Sequence, residues 1–339
     1  MVFAKKLKRG LMTKLIDSNM NFLPSSIHNG RKLRAIANEI YSCQIDETFQ
    51  QFLEDHAIGL IEDEWWLIQE GLKNSKDQKQ NALFRSADAF IKDAGRAHKE
   101  NAGREKIFSV PCSGLHLAWL VLCYDLLCLK HKFSLPKGLI ERLKLNREFQ
   151  SARYEIAIGA ILLRAGCDIR WIDTKLVPDG EKSCELIATH RRTKISFGVE
   201  AKSKKRLGSL NEEGSFSHKS RGIADLLHLA IKQCPEDLPF VIFIDINLPF
   251  EDGQSDEEKL IYKEIKRALG TLKSIPLSPS PINSIIGTNF PFHYDNTNPP
   301  SPTEHLLVQA SEPKHPFPAE ILDDIRDSLI KYGQIPEKI

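Results

Sequence analysis

Residues 182–205 read KSCELIATHRRTKISFGVEAKSKK and contain two short β-like runs on either side of a polar turn. Apolar and β-branched runs of this length, bounded by polar turn residues, are typical of strands. We therefore expect strands over residues 184–189 and 194–202, joined by a turn at residues 190–193. The two strands would pair as a hairpin.

The hairpin carries two acids and a lysine in positions that can share one face. Glu200 and Lys202 are two residues apart on a strand, so their side chains point to the same side. Val199 and Ala201 then face the other way. Pairing of the strands brings Glu185 to the same patch. Clustered charges on a sheet face are costly without a partner or a purpose, which makes this patch the candidate site.

The Glu-x-Lys spacing alone does not identify a site, because the chain contains it or its aspartate version at five other places. These are Asp77/Lys79, Asp173/Lys175, Glu257/Lys259, Glu264/Lys266 and Glu312/Lys314. The pair at residues 200 and 202 differs in context, since it ends an apolar β run and follows an acid on the preceding strand.

Two carboxylates beside a lysine suit metal-dependent phosphodiester hydrolysis. Mg²⁺ binds through one or two protein carboxylates and keeps water and substrate phosphate oxygens as its other ligands. The bound ion polarises the phosphate and lowers the pKa of a bound water. A nearby lysine can orient that water and offset the developing charge. The sequence thus predicts Mg²⁺ or Mn²⁺ as the cofactor.

The order of predicted elements around the hairpin indicates an α/β sheet with helices packed on it (α+β overall). The expected elements are a helix at 147–165, a strand at 168–172, the hairpin, a helix at 220–233, a strand at 240–247, a helix at 255–269, mostly loop at 275–303, a late strand at 305–309 and a helix at 320–331.

The N-terminal part of the chain is predicted to be helical. From residue 31 to about residue 132, apolar residues recur at spacings of three and four, as in RKLRAIANEIYS and ALFRSADAFIKDAG. The length of the chain suggests two domains. We assign residues 1–145 to a helical domain or cap, and residues 146–339 to the sheet domain with its Pro-rich loop and C-terminal helix.

Residues 147–250 resemble the PD-(D/E)xK superfamily, which includes restriction endonucleases and many DNA-repair nucleases. KSCELIA resembles the strand that carries the family's Pro-Asp dipeptide, with Cys184 in the proline place and Glu185 in the aspartate place. FGVEAKSK resembles the (D/E)xK strand. The resemblance implies a restriction endonuclease-like mixed sheet flanked by helices. It also implies that Glu185 and Glu200 bind the metal and that Lys202 assists the attacking water.

The first core helix of this family often carries a further acid, and Glu155 is the candidate here. Glu155 borders the apolar face of the helix, beside Ile158 and Gly159. It either supports the metal or its water, or it reaches solvent or pairs with Arg153 or a neighbouring basic residue. Both interpretations remain open from the sequence.

The hairpin is also the most basic part of the chain, with Glu200 as its only acid between residues 190 and 206. Lys and Arg contacts to phosphates dominate nucleic-acid affinity. The alternative is a solvated sheet edge on which lysines discourage edge-to-edge pairing. We predict nucleic-acid contacts from Arg191, Arg192, Lys194, Lys204, Lys205 and Arg206.

Composition narrows the class of protein. The chain has 339 residues, 41% of them hydrophobic, and a formal net charge of only +2. Its seven cysteines include no Cys-x-x-Cys pair, which argues against a zinc site or a disulfide framework and favours a reducing cytosol. The most apolar run, residues 115–129, is too short to span a bilayer. We expect a buried helix there, and a cytoplasmic protein without a membrane partner.

Three functions are compatible with the sequence. The first is a metal-dependent nuclease, with DNA as the expected substrate. The second is a nuclease-fold module that binds nucleic acid without cutting it, motivated by Glu185 in the aspartate place. The third is an intracellular protein–protein adaptor built on the helical region, motivated by Trp65, Trp66 and the acids at 62–64. The oligomeric state stays open, with a homodimer as one option.

Overall fold

The computed structural model of the chain describes residues 25–36, 39–72, 81–100, 112–132, 135–172, 183–206, 222–250, 252, 255, 257–271, 278–294 and 297–335. Within these residues the chain forms a three-stranded sheet, a group of helices and a six-stranded mixed sheet with helices packed on it. The α/β class predicted from the sequence is confirmed.

The first elements that the structure describes, from residue 25 on, are strands rather than helices. The strands pair in order as an antiparallel meander and are β1 (Ser25–His28), β2 (Arg31–Ile36) and β3 (Glu39–Cys43). The prediction of a helix over RKLRAIANEIYS is therefore wrong. Between β1 and β2, Asn29 and Gly30 have φ angles of 49° and 73°. Asn-Gly is the pair best suited to a two-residue turn with positive φ at both positions, so these two residues favour the β1–β2 hairpin.

The other described elements of the N-terminal region are helices, as predicted. Its helices are α1 (Phe49–Ile61), α2 (Asp63–Gly71), α3 (Ala82–Glu100), α4 (Gly114–His131) and α5 (Lys137–Leu143). Helix α1 begins with a capping box in which Thr48 and Gln51 satisfy each other's backbone N–H groups. Helix α4 contains the apolar run at residues 115–129 and is buried along most of its length, which confirms the prediction of a buried helix.

Among the residues that the structure describes, no helix has both the length and the apolar character needed to cross a membrane.

The second half of the chain builds the six-stranded sheet. Its elements are α6 (Phe149–Arg164), β4 (Cys167–Trp171), β5 (Leu186–His190), β6 (Ser196–Ser203), α7 (Ile223–Ile231), β7 (Phe240–Asp245), α8 (Leu260–Thr271), β8 (Ser284–Asn289), β9 (Glu304–Gln309) and α9 (Ala319–Ile330). The strands lie side by side in chain order. The pairs β6–β7 and β7–β8 are parallel, and the other three pairs are antiparallel.

Strand β8 was not predicted, since the sequence assigned residues 275–303 mostly to loop. All six residues of β8 are buried, although three of them carry polar side chains that hydrogen-bond. Ser284 donates to the carbonyl of Val308 at 3.0 Å, and Asn289 accepts from the backbone N–H of Leu248 at 2.9 Å. A strand with this polar composition can be internal because buried polar groups are tolerated where they find hydrogen-bond partners.

Helix α6 lies between two hydrophobic cores. One face packs on the helical region and carries Phe149, Ala152, Ile156, Ala160 and Leu163. The other face packs on the sheet and carries Tyr154, Ala157, Ile158, Ile161 and Leu162. Packing is thus continuous across the domain boundary that the sequence suggested at residue 146.

The opposite face of the sheet is covered by α7 and α8, whose apolar side chains pack on β7 and β8. In β6, Gly198 allows the segment between α7 and β7 to pack closely on the sheet, since a Cβ at that position would lie 2.9 Å from Cγ of Pro235. Both faces of the central strands are therefore buried, as expected of parallel strands.

A buried ion pair ties the helical region to the sheet domain. Arg164 on α6 contacts Asp125 on α4, with 2.8 Å between Nη1 and Oδ1. Tyr332, just after α9, donates its hydroxyl to the other carboxylate oxygen at 3.0 Å. Burial raises the pKa of Asp125 to about 6, and Arg164 and Tyr332 oppose that shift. The carboxylate is therefore stabilised mainly by these two partners.

We expect Arg164→Ala to lower the free energy of unfolding by about 3–5 kcal/mol, because it leaves a buried carboxylate without its cation. Urea unfolding of the purified chain measures this loss. Arg326 serves as a control, since its ion pair with Asp323 lies on the exposed surface of α9. Arg326→Ala should change stability by no more than about 0.5 kcal/mol. Equal losses in the two variants would contradict a special role for Arg164.

Candidate active site

The candidate site lies at the edge of the sheet where the parallel strands β6 and β7 end. Lys202 is the next-to-last residue of β6. Glu185 comes directly before β5, which runs in the opposite direction and so begins at the same edge. Ligands of open α/β sheets bind outside the carboxyl ends of the parallel strands.

The strand register places the acids and the lysine on one face. Val199 and Ala201 of β6 belong to the core between the sheet and α6. Alternation then turns Glu200 and Lys202 to the other face. Leu186 of β5 pairs with Val199, so Glu185 lies opposite Glu200.

The three charged side chains are in contact. The ammonium group of Lys202 contacts Oε1 of Glu200 and lies 3.6 Å from Oε1 of Glu185. The backbone N–H of Glu185 donates to Oε2 of Glu200 at 3.1 Å. The Glu200 side chain is fully buried, whereas those of Glu185 and Lys202 are 23% and 21% exposed. Glu200 therefore forms the floor of the site, and the other two face its opening.

Burial dominates the electrostatics of this trio. It raises the pKa of Glu200 to about 8, the Glu185 carboxylate acts in the same direction, and Lys202 opposes them. Burial lowers the pKa of Lys202, but Glu200 and Glu185 more than offset this, so its pKa is raised overall. The site consequently holds a protonated lysine and a buried carboxyl group that depends on nearby positive charge for its ionisation.

Glu155 is buried in the first half of α6, which packs on the sheet. Arg142 on α5 donates to both of its carboxylate oxygens at 2.6 Å. Burial raises the pKa of Glu155 to about 7, with Arg142 opposing and Glu185 adding to the shift. Its basic partner is thus Arg142, not the adjacent Arg153, and it lies within electrostatic range of the trio.

The six basic residues predicted to contact nucleic acid do not form one surface. Arg191 and Arg192 lie at the turn of the hairpin, where they pair with Asp168 at 3.1 Å and Asp324 at 2.6 Å. Lys194 lies in the same turn. Strand β6 separates this turn from the site, and its eight residues span about 25 Å. These three residues therefore lie at the opposite end of β6 from Lys202.

The other three basic residues follow β6 and lie at the edge of the site. The Lys205 ammonium donates to the carbonyl of Arg147 at 3.2 Å. The backbone of Arg206 exchanges two hydrogen bonds with the Gln150 side chain, at 2.9 and 3.0 Å. This segment, residues 204–206, is thereby fixed to the start of α6. We call it the basic edge.

A buried polar cluster beside the basic edge was not predicted. Arg153 donates to the Tyr294 hydroxyl at 3.2 Å, and the guanidinium groups of Arg153 and Arg206 lie 5.3 and 4.8 Å from the Tyr294 ring centre. Burial raises the pKa of Asp245 to about 7, with Arg153 opposing. The available signal was the position of Asp245, an acid at the end of the otherwise apolar run PFVIFID.

The tryptophans that motivated the adaptor hypothesis belong to the core of the helical region. Trp65 and Trp66 are partly buried against it, with their ring centres 5.0 Å apart. The indole N–H of Trp66 donates to the carbonyl of Ile58 at 3.1 Å. The two tryptophans are therefore engaged mainly in contacts within the helical region.

No protein-family model, curated protein or solved structure matches this chain. Within the described parts of the chain, no three His, Cys, Asp or Glu side chains group in a way that could hold a metal ion.

The raised pKa of Glu200 predicts how stability depends on pH. A carboxyl group whose pKa is about 8 when folded and about 4.5 when unfolded stabilises the fold fully below pH 4.5, and this contribution is lost as the pH rises through 8. Glu200→Gln removes the titrating group. Between pH 5 and pH 9, we expect the wild-type chain to lose stability relative to Glu200→Gln, by on the order of a few kcal/mol. Urea unfolding at several pH values measures the difference, and a constant difference would contradict the assignment.

Proposed function

We propose that this chain is a metal-dependent nuclease that hydrolyses phosphodiester bonds, with DNA as the expected substrate. The proposal rests mainly on one observation: Glu185, Glu200 and Lys202 meet at an open sheet edge, with Glu185 directly before β5 and opposite Glu200 of β6. The order α6, β4, β5, β6, α7, β7 also agrees with the core that the PD-(D/E)xK resemblance implies. This agreement supports the proposal.

The donor set fits Mg²⁺ or Mn²⁺. Glu185 and Glu200 would hold the ion, since two carboxylates suffice for a cation that keeps waters and phosphate oxygens as its remaining ligands. Oε1 of Glu200 is buried, and its partner is the Lys202 ammonium. When bound, such an ion polarises the phosphate and lowers the pKa of its water.

The side chains of the trio have distinct tasks in this proposal. Glu200 is held in place by the N–H of Glu185, so its carboxylate is oriented before substrate arrives. Lys202 is partly exposed beside both acids and keeps its proton, which suits it to orient the attacking water and to offset charge on the phosphate oxygens.

The basic edge is the part of the surface best placed to hold a nucleic-acid backbone. Lys204, Lys205 and Arg206 directly follow the strand that carries Glu200 and Lys202. Phosphate contacts from such residues set register and affinity without reading sequence. The basic edge would thus hold the substrate backbone, and the distant hairpin turn at residues 191–194 would not take part.

Purified chain should cut DNA when Mg²⁺ or Mn²⁺ is added. Lys202→Ala removes a group that stabilises the transition state and should slow cutting by about 10²–10³-fold. Glu200→Gln removes a metal-binding charge and should abolish it. Gel analysis of a labelled duplex measures both effects.

Glu264 and Lys266 provide the matched control, because they repeat the same spacing on helix α8. Glu264→Gln and Lys266→Ala should leave cutting unchanged. Equal activity in all of these samples would mean that the cutting comes from a contaminant or another site.

The division of the basic residues gives a second test. Lys204→Ala and Lys205→Ala should each reduce the slope of log affinity against log salt concentration by about 0.9 for duplex DNA. Arg192→Ala should leave the slope unchanged, because Arg192 is far from the site and already paired with Asp324. Fluorescence anisotropy without added metal measures the slopes. A slope reduced in Arg192→Ala but unchanged in the two lysine variants would place the nucleic acid on the hairpin turn.

Binding without cleavage is the second candidate function. It is favoured by the contact of Lys202 with both carboxylates, which offsets their charge without any ion. Calorimetric titration with Mn²⁺ separates the two candidates. Stoichiometric Mn²⁺ binding that is lost in Glu200→Gln supports the nuclease. If the chain binds no Mn²⁺ but binds DNA with salt-sensitive affinity, the result supports the binding module.

A further inference from the structure

Arg142 connects the helical region to the candidate site. It lies in the last turn of α5, outside the sheet domain. Its guanidinium group donates two hydrogen bonds to the Glu155 carboxylate, both at 2.6 Å, and its Nε lies 3.3 Å from Oε2 of Glu148. The Glu155 side chain is only 5% exposed, while that of Arg142 is 33% exposed. A planar fork on a buried carboxylate fixes both position and orientation.

Helix α5 is in turn anchored to the helices before it. The Lys144 ammonium contacts Glu62 at the start of α2, at 2.9 Å. The Asn81 side chain donates to the carbonyl of Lys144 at 2.7 Å, and Asn146 accepts from the backbone N–H of Ala82 at 3.0 Å. The position of Arg142 therefore depends on the packing of α2 and α3.

Glu155 links Arg142 to the Glu185–Glu200–Lys202 trio. The Glu185 carboxylate raises the pKa of Glu155 and Lys202 lowers it, so all three side chains are electrostatically coupled. Arg142 also interacts with Glu185. Hydrogen bonds and ion pairs thus run from α2 and α3 to Arg142 and Glu155. From there the link to the site is the packing of α6 on β6 together with the electrostatic coupling of Glu155 to Glu185 and Lys202.

We propose that Arg142 is a positioning residue by which the helical region controls the metal site: it holds the Glu155 carboxylate against the Glu185–Glu200–Lys202 trio. The inference rests on the proposed nuclease function. Groups that orient the ligands of a metal site typically contribute 10- to 100-fold to metal affinity or activity. The helical region is then a required part of the site.

The guanidinium group is specific for this task. Lysine keeps the charge of Arg142 but presents a single ammonium, which cannot donate two parallel hydrogen bonds in a fixed plane. Arg142→Lys should therefore recover only part of the function. Full recovery would mean that charge alone matters.

The test is a double-mutant cycle on the full chain, with two readouts for each variant. Calorimetry measures Mn²⁺ affinity without substrate, and cutting of a labelled DNA duplex gives kcat and KM. Arg142→Ala and Glu155→Ala should each weaken Mn²⁺ binding about 10- to 100-fold. The double variant should be no worse than Glu155→Ala, because Arg142 acts through Glu155. Circular dichroism confirms that each variant is folded, and the double variant leaves no buried carboxylate unpaired.

Arg147→Ala is the matched control. Arg147 is 81% exposed and pairs with Glu148 through Oε1 at 3.2 Å, but does not contact Glu155. Its replacement should leave Mn²⁺ affinity and cutting unchanged. An equal loss in Arg147→Ala would overturn the role of Arg142.

Other outcomes are also decisive. Additive losses, with KM raised and Mn²⁺ affinity unchanged, would mean that Arg142 binds substrate itself. Reduced thermal stability with unchanged affinity and kcat would show a purely structural contact. Either result overturns this inference and leaves the nuclease proposal standing. A wild-type chain that neither binds Mn²⁺ nor cuts DNA overturns the nuclease proposal, and the inference with it.

Discussion

A buried carboxyl group next to a lysine sets the main constraint on this fold. Glu200 is fully enclosed, and its carboxylate is stabilised by Lys202 and by the N–H of Glu185. Lys202 shares the strand and the face of Glu200, whereas the Glu185 N–H is available only if β5 and β6 pair in the observed register. A shift of one residue would turn Glu200 into the apolar core against α6. The register that buries Val199 and Ala201 is thus the one that assembles the candidate site. Packing and electrostatics favour the same alignment.

The sequence predicted the central hairpin well because two independent signals coincide there. The alternation along ISFGVEAK defines a strand face, and the polar turn defines where the chain reverses. Elsewhere the signals conflicted. The spacing of Leu33, Ile36 and Ile40 imitates a helix, although the Asn-Gly pair at residues 29–30 is a hairpin signal of greater weight. Strand β8 was missed because its serine, threonine and asparagine suggest a loop until the partners of their side chains are known.

Predicting the site was limited by contacts between residues far apart in the chain. That Glu200 and Lys202 share a face follows from the strand period alone. The pairing of Glu155 with Arg142 does not, because the two residues lie on different helices with unrelated sequence patterns. The separation of the basic residues into two groups has a similar origin. Residues 191–194 and 204–206 are close in sequence, but the strand between them carries them to opposite ends of the sheet. The density of basic residues along the sequence therefore overestimated how many of them lie beside the acids.

Helix α6 has a consequence for the chain as a whole. Its two apolar faces belong to different cores, so neither core is complete without it. A helix that is apolar on both sides cannot face water on one of them without a large hydrophobic penalty. The helical and sheet halves should consequently unfold as one cooperative unit. Either half produced alone would carry an uncovered apolar stripe and tend to self-associate. The folding of the sheet is therefore coupled to the folding of the helices around it.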